Sequence, residues 1–439
     1  MSAAPDWRQA SAYGFMAAPL AFAALPLYVL FPQFYAAELG VSLAALGVLL
    51  LLVRALDAVT DPLIGRLLDK HLHTHNLMRV ALGGTALLVL GFWALFSAQR
   101  NWGSQQLLLW AGVMLTLCTA AYSLLTLALQ TWVSRIQTSA AAAHVQRTLI
   151  AWREGFGLLG VVIGASLPAV AGLQATTAAL LALVLLALAG WYRVHRQLPL
   201  QETAASATPH KATQHHLLVR ADAPVQGPAF FKQLMAVHVI NGMASAIPAT
   251  LVLFFVQDRL RAPAGSEGLF LLLYFAAAGA GMPLWQRAMA KFGLIKSWGA
   301  AMLIATAAFA ITATLDQGDG VWFALVCLGS GMALGADLCI PQAMLAQWLN
   351  RPVALAEQSI RKDGQYFGWW NVVSKGNLAL AAGVSLPLLG WLGYVPGTSD
   401  NTEALAWVYG ALPCVLKIIA ATALWHFWLK GLTHANSHA

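Results

Sequence analysis

Apolar residues in this chain come in long runs broken by short polar stretches, with neither a period of two nor a narrow amphipathic stripe. A helix that crosses the hydrocarbon core of a bilayer needs about 20 mostly apolar residues. The runs predict twelve such helices, at approximately 11–34, 42–65, 78–98, 105–130, 148–170, 174–192, 231–256, 267–288, 296–314, 320–344, 366–392 and 404–428. The first run is too long for the core of a secretory signal and leads straight into the second, so it is expected to remain as the first helix. The expected fold is all-α and membrane-embedded.

The longest polar stretch, 193–230, is rich in Pro, Thr, Gln and His and reads as a cytoplasmic linker between two six-helix halves, 1–192 and 231–439. A faint repeat relates the halves. Gly164-Ala-Ser-Leu-Pro168 and Gly383-Val-Ser-Leu-Pro387 share G-x-S-L-P, and Trp132 and Trp348 each follow closely on a Gln upstream of these copies. A parallel six-plus-six duplication is an arrangement of alternating-access transporters of the major facilitator type, whose substrate binds near the bilayer midplane.

Composition strengthens this reading. Of 439 residues 59% are apolar and only 10% charged, against about 25% charged in soluble domains, so a soluble enzyme or a receptor with a folded ectodomain is excluded. The net charge of +8 is loop bias and not a nucleic-acid footprint. Eighteen of the 25 Lys and Arg fall on the side that holds both termini, three fall opposite, and Arg54, Arg153, Lys375 and Lys417 lie within spans. By the positive-inside rule both termini are cytoplasmic, in a multi-pass protein of the plasma (inner) membrane. The four cysteines sit in apolar runs without disulfide or metal spacing and read as packing residues. No cofactor, nucleic-acid partner or enzymatic motif is expected; the partners are a small-molecule substrate and the lipid bilayer.

Chemistry concentrates where charge enters a span. In the second run Arg54, Asp57 and Asp61 share one helical face, with the two carboxylates about 6 Å apart along the axis. Charge at membrane depth costs at least a few kcal/mol, so this cluster needs a reason. One reading is a site for a small hard cation or a transported proton; the other is a structural ion pair of Arg54 with either acid. The second acid, which one salt bridge does not require, favours the first. Lys375, in Trp369-Trp370-Asn371-Val-Val-Ser374-Lys375, is the natural counter-charge and can hold the carboxylates when no cation is bound; the plainer role is snorkelling to the surface.

Arg153 and Glu154 point about 100° apart, which assigns Arg153 to substrate and Glu154 to an inter-helix pair. Asp337, alone in an apolar, Gly-rich run, is either a second titratable site or the partner of Lys375 or Arg153. Lys417 lacks an equally polar neighbourhood and is left unassigned. His238, Asn241, Trp370, Thr119, Tyr122 and Ser123 supply further polar or aromatic lining. His71-x-His73-x-His75 reads as a solvated loop. Gly160-x-x-x-Gly164 and Gly331-x-x-x-Gly335 read as helix-packing motifs, and Trp102 and Trp132 as members of an interfacial belt.

Arg54-x-x-Asp57-Ala-x-x-Asp61-Pro62-x-x-Gly65 resembles the signature of the melibiose-carrier-like glycoside, pentoside and hexuronide cation symporters of the major facilitator superfamily. Gly65-Arg-Leu-Leu-Asp69-Lys70 is similar to that superfamily's G-x-x-x-D-R/K loop, and Gly364 through Lys375 to Tyr394 resembles the family's eleventh-helix region. The resemblance implies that Asp57 and Asp61, with Thr119 nearby, bind the coupling ion (sodium or proton). It further implies that Lys375 supports that site, beside Arg54 as a charge partner on the helix face, and that Arg153 contacts substrate; a monomer is the superfamily's expectation. Two departures stand out: Ala21 and Thr119 occupy positions where the sugar-carrying members place acids that grip sugar hydroxyls. The expected function is cation-coupled symport of a small organic solute such as a glycoside, by alternating access. With a first helix rich in Phe, Leu and Met, the alternative is proton-coupled transport or export of an amphiphilic, lipid-like compound.

Overall fold

The computed structural model describes the chain apart from residues 1–6, 32–33, 72–73, 136–139, 195–228, 264, 351–361, 396–400 and 430–439. The linker expected at 193–230 and His73 fall almost wholly or wholly within the excluded stretches. Nine helices among the described residues are long and apolar enough to cross a membrane.

Helices run in chain order as α1 (Trp7–Gly14), α2 (Ala17–Leu25), α3 (Leu43–His71), α4 (Thr74–Leu95), α5 (Ser104–Ser134), α6 (Ala140–Val194), α7 (Phe230–Phe254), α8 (Ser266–Phe292), α9 (Leu294–Ala310), α10 (Gly320–Leu349), α11 (Asp363–Trp391) and α12 (Leu412–Leu424), the last inside a helical run Thr402–Trp428. The first predicted run is divided between α1 and α2. The fifth and sixth runs are joined as α6, which turns sharply at Gly172, where φ of 76° suits a residue without a Cβ. Contacts divide the chain into two compact units, residues 1–215 with 349–372, and residues 216–348 with 373–439. The opening of α11 therefore groups with the first unit and the rest of it with the second.

Within the first unit α2 lies against α6, and glycine sets the approach. A Cβ on Gly160 would stand 2.2 Å from the Ala18 carbonyl oxygen, and one on Gly164 2.5 Å from that of Phe22. The second unit repeats the device. Cβ atoms on Gly331 and Gly335 of α10 would stand 2.3 and 2.7 Å from the Tyr274 and Ala278 carbonyl oxygens of α8. Both G-x-x-x-G motifs thus pack against carbonyls one helical turn apart, as small-residue seams between membrane helices do.

Each unit also holds an aromatic triad. Tyr13 stacks on Trp132 at 5.0 Å and Trp132 meets Trp191 at 6.1 Å; in the second unit Phe230 stacks on Trp348 at 5.6 Å and meets Trp428 at 5.7 Å. This corrects the belt assignment of Trp132. It is buried because α1 and the end of α6 close over it, an arrangement that span ends in the sequence do not disclose. Cys118, Cys327 and Cys339 are buried free thiols, and Cys414 is half-buried.

Candidate functional site

The acid pair on α3 is buried: Asp57 is 5% and Asp61 0% exposed. Four residues separate them on one continuous helix, which fixes their spacing at about one turn. The Ser123 hydroxyl of α5 donates to Asp57 Oδ1 at 2.9 Å. Thr119, one turn earlier on α5, is also buried, and its hydroxyl donates to the Thr116 carbonyl of its own helix at 3.0 Å, which leaves its lone pairs facing outward from that bond. Arg54 is exposed, so the three charges on one face divide into an exposed cation and two buried acids. Carboxylate oxygens with hydroxyl oxygens form a donor set suited to a small hard cation.

Below this pair, the first unit explains the glycines and acid of Gly65-Arg-Leu-Leu-Asp69. A Cβ on Gly65 would stand 2.1 Å from the Gly364 carbonyl oxygen, and one on Gly368 2.8 Å from Pro62 Cα, so α3 and the opening of α11 touch backbone to backbone. Asp69 Oδ1 accepts from the Gly364 N–H at 2.7 Å and from Arg135 at 2.7 Å, and its Oδ2 accepts from the Gln365 N–H at 2.9 Å. It thereby satisfies donors that the first turn of α11 leaves open. Asp69 lies past the apolar run of its helix. Burial pushes its carboxyl up to about 6, against the pull of the Gly364 N–H, of Arg135 and of the Gln365 N–H. Ser134 donates to Asp363 at 2.8 Å, and Gln130 to Asn371 at 3.2 Å, extending this polar seam along α5. Trp370 is buried in the same unit, and Tyr122 is half-buried on α5.

Arg153 is buried, but its guanidinium folds onto the adjacent carboxylate, 2.6 Å from Glu154 Oε1. The Tyr13 side chain of α1 lies within electrostatic reach of both Arg153 and Glu154.

The second unit holds another acid, with its side chain 9% exposed. Asp337 pairs with Lys417, Nζ to Oδ2 at 2.8 Å, a partner that the sequence left unassigned. Both Asp337 and Lys417 sit mid-helix in one half, and two opposite charges at membrane depth there neutralise each other most cheaply. That juxtaposition was a signal available in the sequence. Lys417 also donates to Asn241 Oδ1 at 2.9 Å and Ser245 Oγ at 3.3 Å, while the Trp298 indole N–H donates to Asp337 Oδ1 at 2.9 Å. His238 Nε2 and Ser374 Oγ are 2.9 Å apart, and Asn377 donates to the His238 carbonyl at 3.4 Å. Lys375 is half-buried on the part of α11 that belongs to this unit. No group of three or more His, Cys, Asp or Glu able to hold a metal exists among the described residues.

The profile of a family described as MFS/sugar transport protein matches residues 10–431. Among solved structures, the chain is similar to a bacterial homologue of the iron transporter ferroportin in an outward-facing state. The identity is 14%, the TM-score 0.68, and the match covers 96% of this chain and 99% of that one. The same homologue with soaked iron gives a TM-score of 0.67 at 14% identity and the same coverage. At that identity the likeness is one of fold. No curated protein matches the sequence.

Proposed function

The chain belongs to the MFS/sugar transport protein family of multi-pass membrane transporters, and from that premise we propose that it is a cation-coupled symporter of a small organic solute. The single observation that carries this reading is the pair of buried carboxylates one turn apart on α3, with Ser123 bonded to the first. Two like charges at that spacing in a low-dielectric site repel, and binding a sodium ion or a proton relieves the repulsion. The ion then favours the substrate, and by linkage the substrate favours the ion to the same degree.

A glycoside is the substrate class favoured by the likeness of the α3 signature to the melibiose-carrier-like symporters. Arg153, Tyr122, Trp370, His238 and Asn241 are the residues proposed to contact it. The halves alternate access around the site, in the plasma membrane with both termini cytoplasmic. A second reading, proton-driven movement of an amphiphile, is favoured by Ala21 and Thr119, which leave the first and fourth spans without acids to grip sugar hydroxyls.

Sodium calorimetry on the purified chain, with and without Asp57→Cys at two pH values, tests the coupling. Sodium heat that disappears in the variant supports sodium coupling at Asp57. An absence of sodium heat at both pH values, with a carboxylate that still titrates, moves the reading to proton coupling. Full cation-dependent uptake by Asp57→Cys or Asp61→Cys would refute it.

A further inference from the structure

The surroundings of Lys417 hold more than a salt bridge needs. An ammonium group has three N–H donors and no acceptor. Here three oxygens face it: the Asp337 carboxylate at 2.8 Å, the Asn241 amide oxygen at 2.9 Å and the Ser245 hydroxyl at 3.3 Å. Asn241 and Ser245 lie one turn apart on α7, and the carboxylate comes from α10. The other carboxylate oxygen is held by Trp298 of α9, so the acid keeps its position independently of the lysine. Lys417 and Asn241 are each no more than 5% exposed.

Carboxylate, amide carbonyl and hydroxyl oxygens converging on one buried point are the ligand set of a cation. The spacing is wider than the 2.3–2.6 Å of calcium or the 2.0–2.1 Å of magnesium, and suits a charge-assisted N–H···O bond. We propose that Asp337, Asn241 and Ser245 form a monovalent-cation site of the ammonium type, which the chain fills with its own side chain, Lys417 acting as a tethered cation. The charge of Asp337 is then balanced without a free ion. Exchange of the coupling ion is left to α3, a consequence that rests on the reading of Asp57 and Asp61 given above.

Chemical rescue tests the site. Lys417→Ala removes the propylammonium portion of the side chain and leaves Asp337 buried without its counter-charge. The purified variant should unfold at a midpoint lower by roughly 5 °C or more. Propylammonium chloride should restore the midpoint in a saturable way. Propanol, of equal size and no charge, and tetramethylammonium, charged but without N–H, should not. Neither the wild type nor Lys417→Ala/Asp337→Asn should respond. Rescue by all three compounds, by none, or equal rescue of the double variant overturns the proposal.

Should Lys417→Ala fail to accumulate, sodium stoichiometry decides. The wild type should bind one sodium per chain, lost in Asp57→Asn and retained in Asp337→Asn. A second sodium that disappears in Asp337→Asn shows the site open to free ions and overturns the tethered cation. Sodium bound at neither acid sinks sodium coupling at α3 but supports the tethered cation, since Asp337 is then closed to free ions.

Discussion

Two of the acidic sites within the helices answer the same electrostatic problem in opposite ways. On α3, Asp57 and Asp61 are like charges on one helix, with a hydroxyl donated to the first by Ser123. In the second unit, Asp337 is an acid matched at 2.8 Å by Lys417 from another helix. On the proposed reading, the α3 pair takes its cation from outside, whereas Asp337 is matched by a cation that the chain itself carries. A buried charge is informative only when its partners are known, because burial alone is common to both sites.

The sharpest way to break the comparison is to remove charge from each site in turn. Asp61→Asn should lower cation-stimulated uptake into proteoliposomes by roughly tenfold to hundredfold, the scale of losing a charged ligand, with the fold intact by circular dichroism. Asp337→Leu alone should cost stability on the order of 3–5 kcal/mol, whereas Asp337→Leu/Lys417→Leu should recover most of it, since an apolar pair replaces an ion pair nearly neutrally. Urea or thermal unfolding of both variants checks that contrast. Ser123→Ala should weaken cation binding by about fivefold, the worth of about 1 kcal/mol from one hydrogen bond, while uptake persists at raised cation.

Smallest is the effect of Asp69. Its carboxyl titrates at about 6 in the fold against 3.8 when free, so the folded chain keeps a proton that the unfolded chain releases within that window. The stability it contributes is fully present below about pH 4 and is lost as pH rises through 6. Asp69→Asn should therefore show a flatter melting temperature than the wild type across that range.

Much of this was legible in the residues, for identifiable reasons. Run length announced the membrane helices because the bilayer thickness imposes it, and Gly160, Gly164, Gly331 and Gly335 announced the helix seams because only a missing Cβ allows such approach. Asp57 and Asp61 stood out because four residues on one helix fix their geometry locally. The Arg153–Glu154 pair was not legible, since helical spacing sets the two Cβ directions about 100° apart but not how a long side chain folds back on its neighbour. Trp132, taken for an interfacial residue, is enclosed between Tyr13 and Trp191.

What the sequence determined by itself is therefore what depends on nearby residues: the helices, their apolar character and the spacing of the α3 acid pair. What only the tertiary structure decided is which distant groups meet. Asp337 and Lys417 are 80 residues apart, and the Ser123 hydroxyl and Asp57 carboxylate 66 apart. No helical period relates such positions. Their pairing is set by how α3 packs on α5 and how α7, α9, α10 and α12 pack together, where each buried charge is driven to the nearest group able to neutralise or bond it.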